Sequence, residues 1–362
     1  MRVQLNKLYN SILCRKNDFS LIGLFLYCLT ILSIIYGKIV ESRIKHIKQL
    51  DIKHFTSKLI SLGNITFGGT GKTPLAGWLA AYLASKGEKV GIVLRGYARA
   101  KTSQEPLLLE KDYLNEENRV KYFGDEALLL NELAPHASIM VCADRIKAIQ
   151  RLNDECKCSI ILLDDGFQQV QLPKCMDIVC LDPLRPLGNG YLLPRGNLRE
   201  FPNALNRGTH FVFCKGYPRK RARSKVMAEL EDESQVVYAC DYRIIGAYDL
   251  RSSLTIIELS ELKGQKVLIL SAIGNPESFK NSLEALDIYG ISRSFPDHFQ
   301  LKQDDIKEIN NFISIHKLEV IVTTEKDAMR MQDIEFDIPC YILEGEITPP
   351  DEFIKEVDKL FI

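Results

Sequence analysis

KLISLGNITFGGTGKTPLAGWLAAYLASK, from Lys58 to Lys86, is the stretch whose reading decides the fold. Its opening residues, KLISLGN, are aliphatic and predict a strand, while AGWLAAYLASK has apolar residues at helical spacing. Between them stands GGTGKT, Gly68 to Thr73. A strand, a glycine-rich turn and a helix N-terminus in that order form a phosphate-binding loop. Glycines let backbone N–H groups converge on phosphate oxygens, and the helix dipole favours the anion. Lys72 then reaches the β and γ phosphates, and Thr73 offers its hydroxyl to Mg²⁺. The usual spacing puts glycine where Thr66 stands, so the formal pattern is missed by one residue. That departure changes a pattern match and not the physics. Trp78, the single tryptophan, lies in the helix and reads as core.

Outward from this unit, short aliphatic runs alternate with helical stretches, as a mostly parallel sheet covered by helices requires. KVGIVLR, SIMVCAD, CSIILLDD, DIVCLD and HFVFCK predict strands, and DEALLLNELA and RIKAIQRLND predict helices. After about residue 230 comes a less regular stretch, VVYACDYRIIGAYD. A second alternation follows, with strands KVLILSA, EVIVTT and IPCYILE and helices around PESFKNSLEAL and DDIKEINNFISIH. The expected class is α/β: a phosphate-loop NTPase-type domain with a mostly parallel sheet over 57–232, and a smaller C-terminal α/β domain over 233–362 that begins with a strand-rich connection. SIILLDDGFQ ends its apolar run on Asp164 and Asp165, where carboxylates beside a phosphate loop complete a magnesium shell. Either acid suits that role.

With 362 residues, the chain has room for about two domains at ~150 residues each. Forty-seven basic and 47 acidic side chains cancel, so the positive excess that bulk nucleic-acid binding draws on is missing. Ten cysteines lie scattered through apolar runs and read as buried thiols in a reducing compartment; only Cys156 and Cys158 are close, a weak metal pattern. Residues 1–56 carry the uncharged run FSLIGLFLYCLTILSIIYG, Phe19 to Gly37. At ~1.5 Å per residue it makes roughly 28 Å of helix, against ~30 Å of hydrocarbon. Basic residues flank it on both sides and no small-x-small cleavage site follows, so membrane attachment is expected, either as a span or lying in the leaflet.

Taken together, these segments resemble the tetraacyldisaccharide 4′-kinase family, the lipid A 4′-kinases. The resemblance rests on SLGNITFGGTGKTP (Ser61–Pro74), LRGYAR (Leu94–Arg99), GDEALLL (Gly124–Leu130), ADR (Ala143–Arg145) and LDDGFQ (Leu163–Gln168). It continues through DPLRPLGNGYLLPRGNLRE (Asp182–Glu200), FPDHF (Phe295–Phe299) and TTEKDAMR (Thr323–Arg330). It implies transfer of the γ-phosphoryl of ATP, with Mg²⁺, to the 4′-hydroxyl of a lipid A disaccharide precursor. The expected location is the cytoplasmic face of the bacterial inner membrane, on its phospholipid surface, with no nucleic acid and no obligate protein partner. The alternative is a membrane-associated phosphate-loop ATPase or GTPase acting as a switch or assembly factor.

Carried over by the resemblance, Asp125 is the catalytic base, paired with His298, and Lys72 serves the transferred phosphate. Thr66, Phe67, Gly68, Gly69, Thr70, Gly71, Lys72 and Thr73 make the nucleotide loop. Arg95 and Arg145 are expected at phosphates and Gln168 near metal or nucleotide, with Thr73, Asp164 and Asp165 around Mg²⁺. On residue chemistry alone, Asp125 reads equally as an acid in the first turn of a helix, and His298 as a loop histidine. TTEKD is expected to shape the cleft between domains. The chain departs from the family pattern at Gln169, where histidine is usual, and at Arg195, where a small residue is usual.

Overall fold

A computed structural model describes residues 21–48, 55–96, 105–110, 116–232 and 235–361. The first sheet has strands β1 (Lys58–Gly63), β2 (Val90–Leu94), β3 (Leu107–Leu108), β4 (Ser138–Val141), β5 (Ile160–Asp164), β6 (Lys174–Leu181), β7 (His210–Phe213) and β8 (Val237–Ala239). Their order across the sheet is β3-β4-β2-β5-β1-β6-β7-β8, and every neighbouring pair is parallel except β3 with β4. The second sheet has β9 (Asp241–Asp249), β10 (Ser252–Ile257), β11 (Val267–Ser271), β12 (Gly290–Ser294), β13 (Val320–Thr324) and β14 (Cys340–Thr348). Its order is β10-β9-β14-β13-β11-β12, antiparallel at the β10 end and parallel from β14 onward.

Ten α-helices accompany these strands among the described residues: α1 (Leu21–Lys48), α2 (Lys72–Ser85), α3 (Glu116–Phe123), α4 (Asp125–Leu133), α5 (Arg145–Arg151), α6 (Lys220–Met227), α7 (Pro276–Glu284), α8 (Gln303–His316), α9 (Glu325–Ala328) and α10 (Asp351–Asp358). Strands β1, β2 and β5 are buried on both faces, because helices cover both. On one face α2 contributes Leu75, Leu79 and Leu83, and on the other α5 contributes Ala148 and Ile149. The glycine loop therefore springs from the C-terminal edge of a central strand, where open α/β sheets bind ligands.

The two sheets are joined more intimately than a linker would join them. The chain changes sheet at Cys240, beyond the expected boundary at 232/233, because Val237–Ala239 pairs with β7. It enters the second unit along β9 and leaves along β14, which run antiparallel from Asp241 opposite Thr348 to Asp249 opposite Tyr341. Helix α10 then returns to the first unit. Phe353, fully buried, sits 6.4 Å from the Trp78 ring and 5.4 Å from that of Tyr238, and Tyr82 donates to Asp358 at 2.7 Å. One hydrophobic cluster thus draws on β1, α2, β14 and α10.

Helix α1 is longer than the run that predicted it, whose first residues, Phe19 and Ser20, lie outside the described residues. Gly23, Leu26, Leu29, Ser33 and Gly37 are buried on one face, and Leu24, Phe25, Tyr27, Ile31, Leu32, Ile34, Ile35 and Ile39 are exposed. The buried face lies against the loop between β6 and β7: Ser33 Oγ donates to the Leu192 carbonyl at 2.8 Å, and Gly37 meets Leu192 and Phe201. Arg195, unexplained by the sequence, is buried here. Its guanidinium lies 3.7 Å over the Tyr191 ring and donates to Thr30 Oγ1, and its backbone N–H donates to Ser33 at 3.2 Å. Most cysteines are buried as expected, but Cys28 and Cys175 are exposed, the first on the outward face of α1 and the second near the start of β6.

Candidate active site

Three clusters meet at the C-terminal edge of the first sheet. The first is the glycine loop. Gly71, with φ of 86°, precedes α2, and a Cβ placed on it would lie 2.7 Å from the Cys214 Cβ, so only glycine fits. Gly68 also has positive φ, 121°. Thr66, where glycine was the usual residue, is buried and pairs with Leu198. Phe67 N–H donates to the Asn197 carbonyl at 2.7 Å, and Arg199 N–H to Ile65 at 2.8 Å. The segment 197–199 therefore holds the incoming arm of the loop as an added strand would. Thr70 is buried, and Thr73 lies in the first turn of α2.

The acid pair forms the second cluster. Asp165 is held by Lys72 Nζ at 3.2 Å and by Arg199 Nη1 at 2.8 Å to each of its oxygens. Burial alone would raise its pKa, but Lys72 and Arg199 overcome burial and hold it down at about 2. Asp164 faces the opposite situation: burial, with the Glu126 carboxylate adding to it, pushes its pKa up to about 7. Its Oδ1 is buried and has no hydrogen-bond partner among the described residues. The two neighbours therefore differ: Asp165 is satisfied by cations, and Asp164 is an unsatisfied oxygen.

The third cluster crosses between the two sheets. Gly124, with φ of 84°, precedes α4, and Asp125 opens that helix with its side chain 4% exposed. His298 Nδ1 donates to Asp125 at 2.9 and 3.1 Å, and Arg330 Nε lies 3.5 Å from the same carboxylate. His298 adopts φ of 60°, uncommon for a non-glycine residue, and its N–H donates to the Ala272 carbonyl at 3.2 Å. Lys326 Nζ is 3.1 Å from Glu126, 3.4 Å from His298 Nε2 and 3.7 Å from Asp297. Burial works against the Asp125 charge, yet the hydrogen bond from His298, with Lys326 and Arg330, leaves its pKa below the ordinary value. The same hydrogen bond raises the pKa of His298 against burial.

These clusters make one site. A Cβ on Gly274, in the turn after β11, would lie 3.5 Å from the Gly69 nitrogen and 3.3 Å from Asp297. The second unit thus covers the phosphate loop with the turn that neighbours His298.

Other expected site residues are placed less directly. Arg95 is exposed at the end of β2, with Tyr97 to Arg99 of its motif outside the described residues. Arg145 was expected at a phosphate, but it is buried and donates to the carbonyls of Asp164 at 2.8 Å and Cys142 at 3.3 Å. Through these two contacts it braces the end of β5 from within. Gln168 donates to Asn64 and Glu200 at 3.1 Å and accepts from Arg199 at 3.3 Å, which links the segment after the acid pair to Arg199 and Glu200. Gln169 accepts from Gln171 at 2.9 Å. Sequence reasoning missed Arg199, Arg330 and Lys326. Each lies in a quoted motif, so the signal was present without a role attached.

A glycine loop on a parallel sheet, an acid pair at the next strand tip and a buried carboxylate–imidazole pair define a phosphate-loop phosphotransferase. Comparison with known proteins narrows the class: a model of LpxK, tetraacyldisaccharide-1-P 4′-kinase, matches residues 25–361, and the chain belongs to that family. The tetraacyldisaccharide 4′-kinase of Halothermothrix orenii is 34% identical, with 89% of each chain covered. That of Bdellovibrio bacteriovorus is 31% identical over 76% of this chain and 80% of the relative. The crystal structure of LpxK from Aquifex aeolicus in complex with ATP has a TM-score of 0.67 at 25% identity, covering 91% of this chain and 98% of that one. Family membership favours the kinase over the switch alternative.

Proposed function

We propose that the chain transfers the γ-phosphoryl group of ATP to the 4′-hydroxyl of a tetraacylated glucosamine disaccharide 1-phosphate, with Asp125 as the base. The observation that carries this reading is the Asp125–His298 contact, made across two domains beside the glycine loop. A sugar hydroxyl is a poor nucleophile, and a carboxylate in reach can take its proton as attack begins, worth about 10²–10⁴-fold. His298 orients that carboxylate through Nδ1. Lys72 pairs with Asp165 and can turn from it to the phosphates of a nucleotide on the loop. The chemistry of the donor set fits Mg²⁺, since Asp164 Oδ1 is an orphaned buried oxygen near the loop and Thr73 carries a hydroxyl at the helix start. Asp164 would hold the ion with Thr73 and phosphate oxygens, while Asp165 keeps Lys72 and Arg199 in place. When bound, the ion neutralises charge on the β and γ phosphates.

Helix α1 suits a lipid acceptor. Its buried face follows the catalytic domain lengthwise from Leu26 to Gly37, so its apolar outer face is best accommodated lying in the cytoplasmic leaflet rather than crossing it. Exposed Lys38, Arg43 and Lys45 then reach anionic headgroups. The acyl chains of the acceptor stay in the bilayer, which saves ~0.8 kcal/mol for each CH₂ not exposed to water.

The test is transfer of label from γ-labelled ATP to detergent-dispersed disaccharide 1-phosphate, with Lys72→Ala and Asp125→Ala alongside. Labelled bisphosphate from the wild type, lost in both variants, is the expected result. Label released only as free phosphate, at a rate the lipid does not change, would overturn the reading.

A further inference from the structure

We propose that Lys215 is a second phosphate-binding lysine of the nucleotide site, meeting the triphosphate from the β7 side of the glycine loop. This deepens the nucleotide-binding reading and rests on it. Lys215 stands two residues past the end of β7, and β7 runs parallel to β6, the neighbour of β1. It therefore emerges at the same sheet edge as the loop. Its side chain follows the loop: Cγ is 3.4 Å from a Cβ position on Gly71, and Nζ is 4.0 Å from one on Gly69. The ammonium thus ends beside Gly69, whose nitrogen is also faced by Gly274 of the second domain.

What distinguishes Lys215 from Lys72 is the company it keeps. Lys72 is paired with Asp165, whereas among the described residues Lys215 has no carboxylate within 4.0 Å and no hydrogen-bond acceptor. The groups that act on it are Asp182 just past the end of β6, the adjacent Cys214 thiol and the Lys326 ammonium on α9. Asp182 is already engaged, since its Oδ1 accepts from the Leu184 and Arg185 amides at 2.8 Å. Burial pushes the Lys215 pKa down, and Lys326 adds to the effect while Asp182 and Cys214 oppose it. A half-buried cation beside the glycine loop with no carboxylate in contact lacks an anion, and a polyphosphate on the loop supplies one. Phosphate is the shared chemistry of ATP and of the acceptor's 1-phosphate. Proximity to Gly69 assigns Lys215 to the nucleotide.

The experiment is calorimetric titration of the full chain in detergent with ATP and Mg²⁺, for wild type, Lys215→Met, Lys215→Arg and, as a surface control, Lys307→Met. Loss of a charge-assisted hydrogen bond predicts about tenfold or greater weakening in Lys215→Met. Lys215→Arg should stay within a few-fold of wild type, and Lys307→Met, whose side chain is exposed on α8, should bind as wild type does. Phosphate restores the lysine charge that burial disfavours, so wild-type affinity falls as pH rises through the free lysine pKa, and Lys215→Met loses that part of the slope. Should Lys215→Met fail to fold, acylation of Lys215 in the wild type, read by mass spectrometry, must be slowed by saturating ATP. Wild-type affinity and pH slope in a folded Lys215→Met overturn the proposal, as does acylation that ATP leaves unchanged. A rise only in the KM for the disaccharide 1-phosphate overturns the nucleotide assignment in favour of the acceptor. Failure of the wild type to bind ATP overturns the nucleotide reading itself, a distinguishable result.

Discussion

Replacing Asp125 and His298 singly and together measures whether they work as one unit. Asp125→Asn removes the base and is expected to lower kcat about 10²–10⁴-fold. His298→Gln removes a hydrogen bond of 2.9 Å to a carboxylate 4% exposed. A hydrogen bond to a charged group contributes about 1.5–3 kcal/mol, and at ~1.4 kcal/mol per tenfold this predicts a kcat loss of about 10- to 150-fold. His298 acts through Asp125, so the double variant should fall within a few-fold of Asp125→Asn alone. Independent roles would multiply to a loss of about 10³–10⁶-fold. The assay is initial-rate transfer from γ-labelled ATP at saturating lipid, with the KM for ATP measured in each variant. A multiplicative double loss, or a rise in the KM for ATP matching the fall in rate, would refute the reasoning.

The pair should also shape stability against pH. His298, with its pKa raised above 6.5, contributes fully below that value and loses its contribution as pH rises through the folded pKa. Asp125, lowered below 3.8, contributes above that value and loses its contribution as pH falls through the folded pKa. Their joint contribution is therefore greatest between about 3.8 and 6.5, and denaturant titrations carried upward from that window should show wild type losing stability as pH rises above 6.5 and His298→Gln losing less. Because Asp164 titrates at about 7, apparent Mg²⁺ affinity should be about tenfold weaker at pH 6 than at pH 8, and Asp164→Asn should abolish the dependence. Phe353→Ala should cost about 3–5 kcal/mol in thermal unfolding and alter the fluorescence of Trp78, the only tryptophan. Leu32→Glu with Ile35→Glu, on the exposed face of α1, should reduce flotation with anionic vesicles while leaving ATP binding intact.

Much of the fold was legible because buried parallel strands are largely aliphatic: β1, β2, β4, β5, β7, β11 and β13 each fall within a predicted run, while β6 begins before its run and β14 extends beyond its own. Strand β12, GISRS, escaped because its residues are half-buried or exposed and carry no apolar pattern. Strand β8 was assigned to the wrong unit, since its three residues show nothing of which sheet edge they join. At the site, Lys72 and the acid pair were readable from local spacing. Asp125 and His298 required the family resemblance, because their contact joins residues far apart in the chain. Arg330 and Lys326 were passed over for the same reason. For Arg145 the sequence pointed to phosphate and did not show that its guanidinium donates to the Asp164 carbonyl, a contact set by how β5 ends beside α5.

The return of α10 has a consequence for how the molecule is made. Trp78, Tyr82 and Tyr238 belong to the first unit, yet the helix that covers them is translated only after the whole second sheet. Until then a nascent chain carries an uncovered aromatic patch on an otherwise formed first sheet. Chains cut short before Asp351 would keep that patch, a mark by which proteases and chaperones can tell an unfinished product from a completed one.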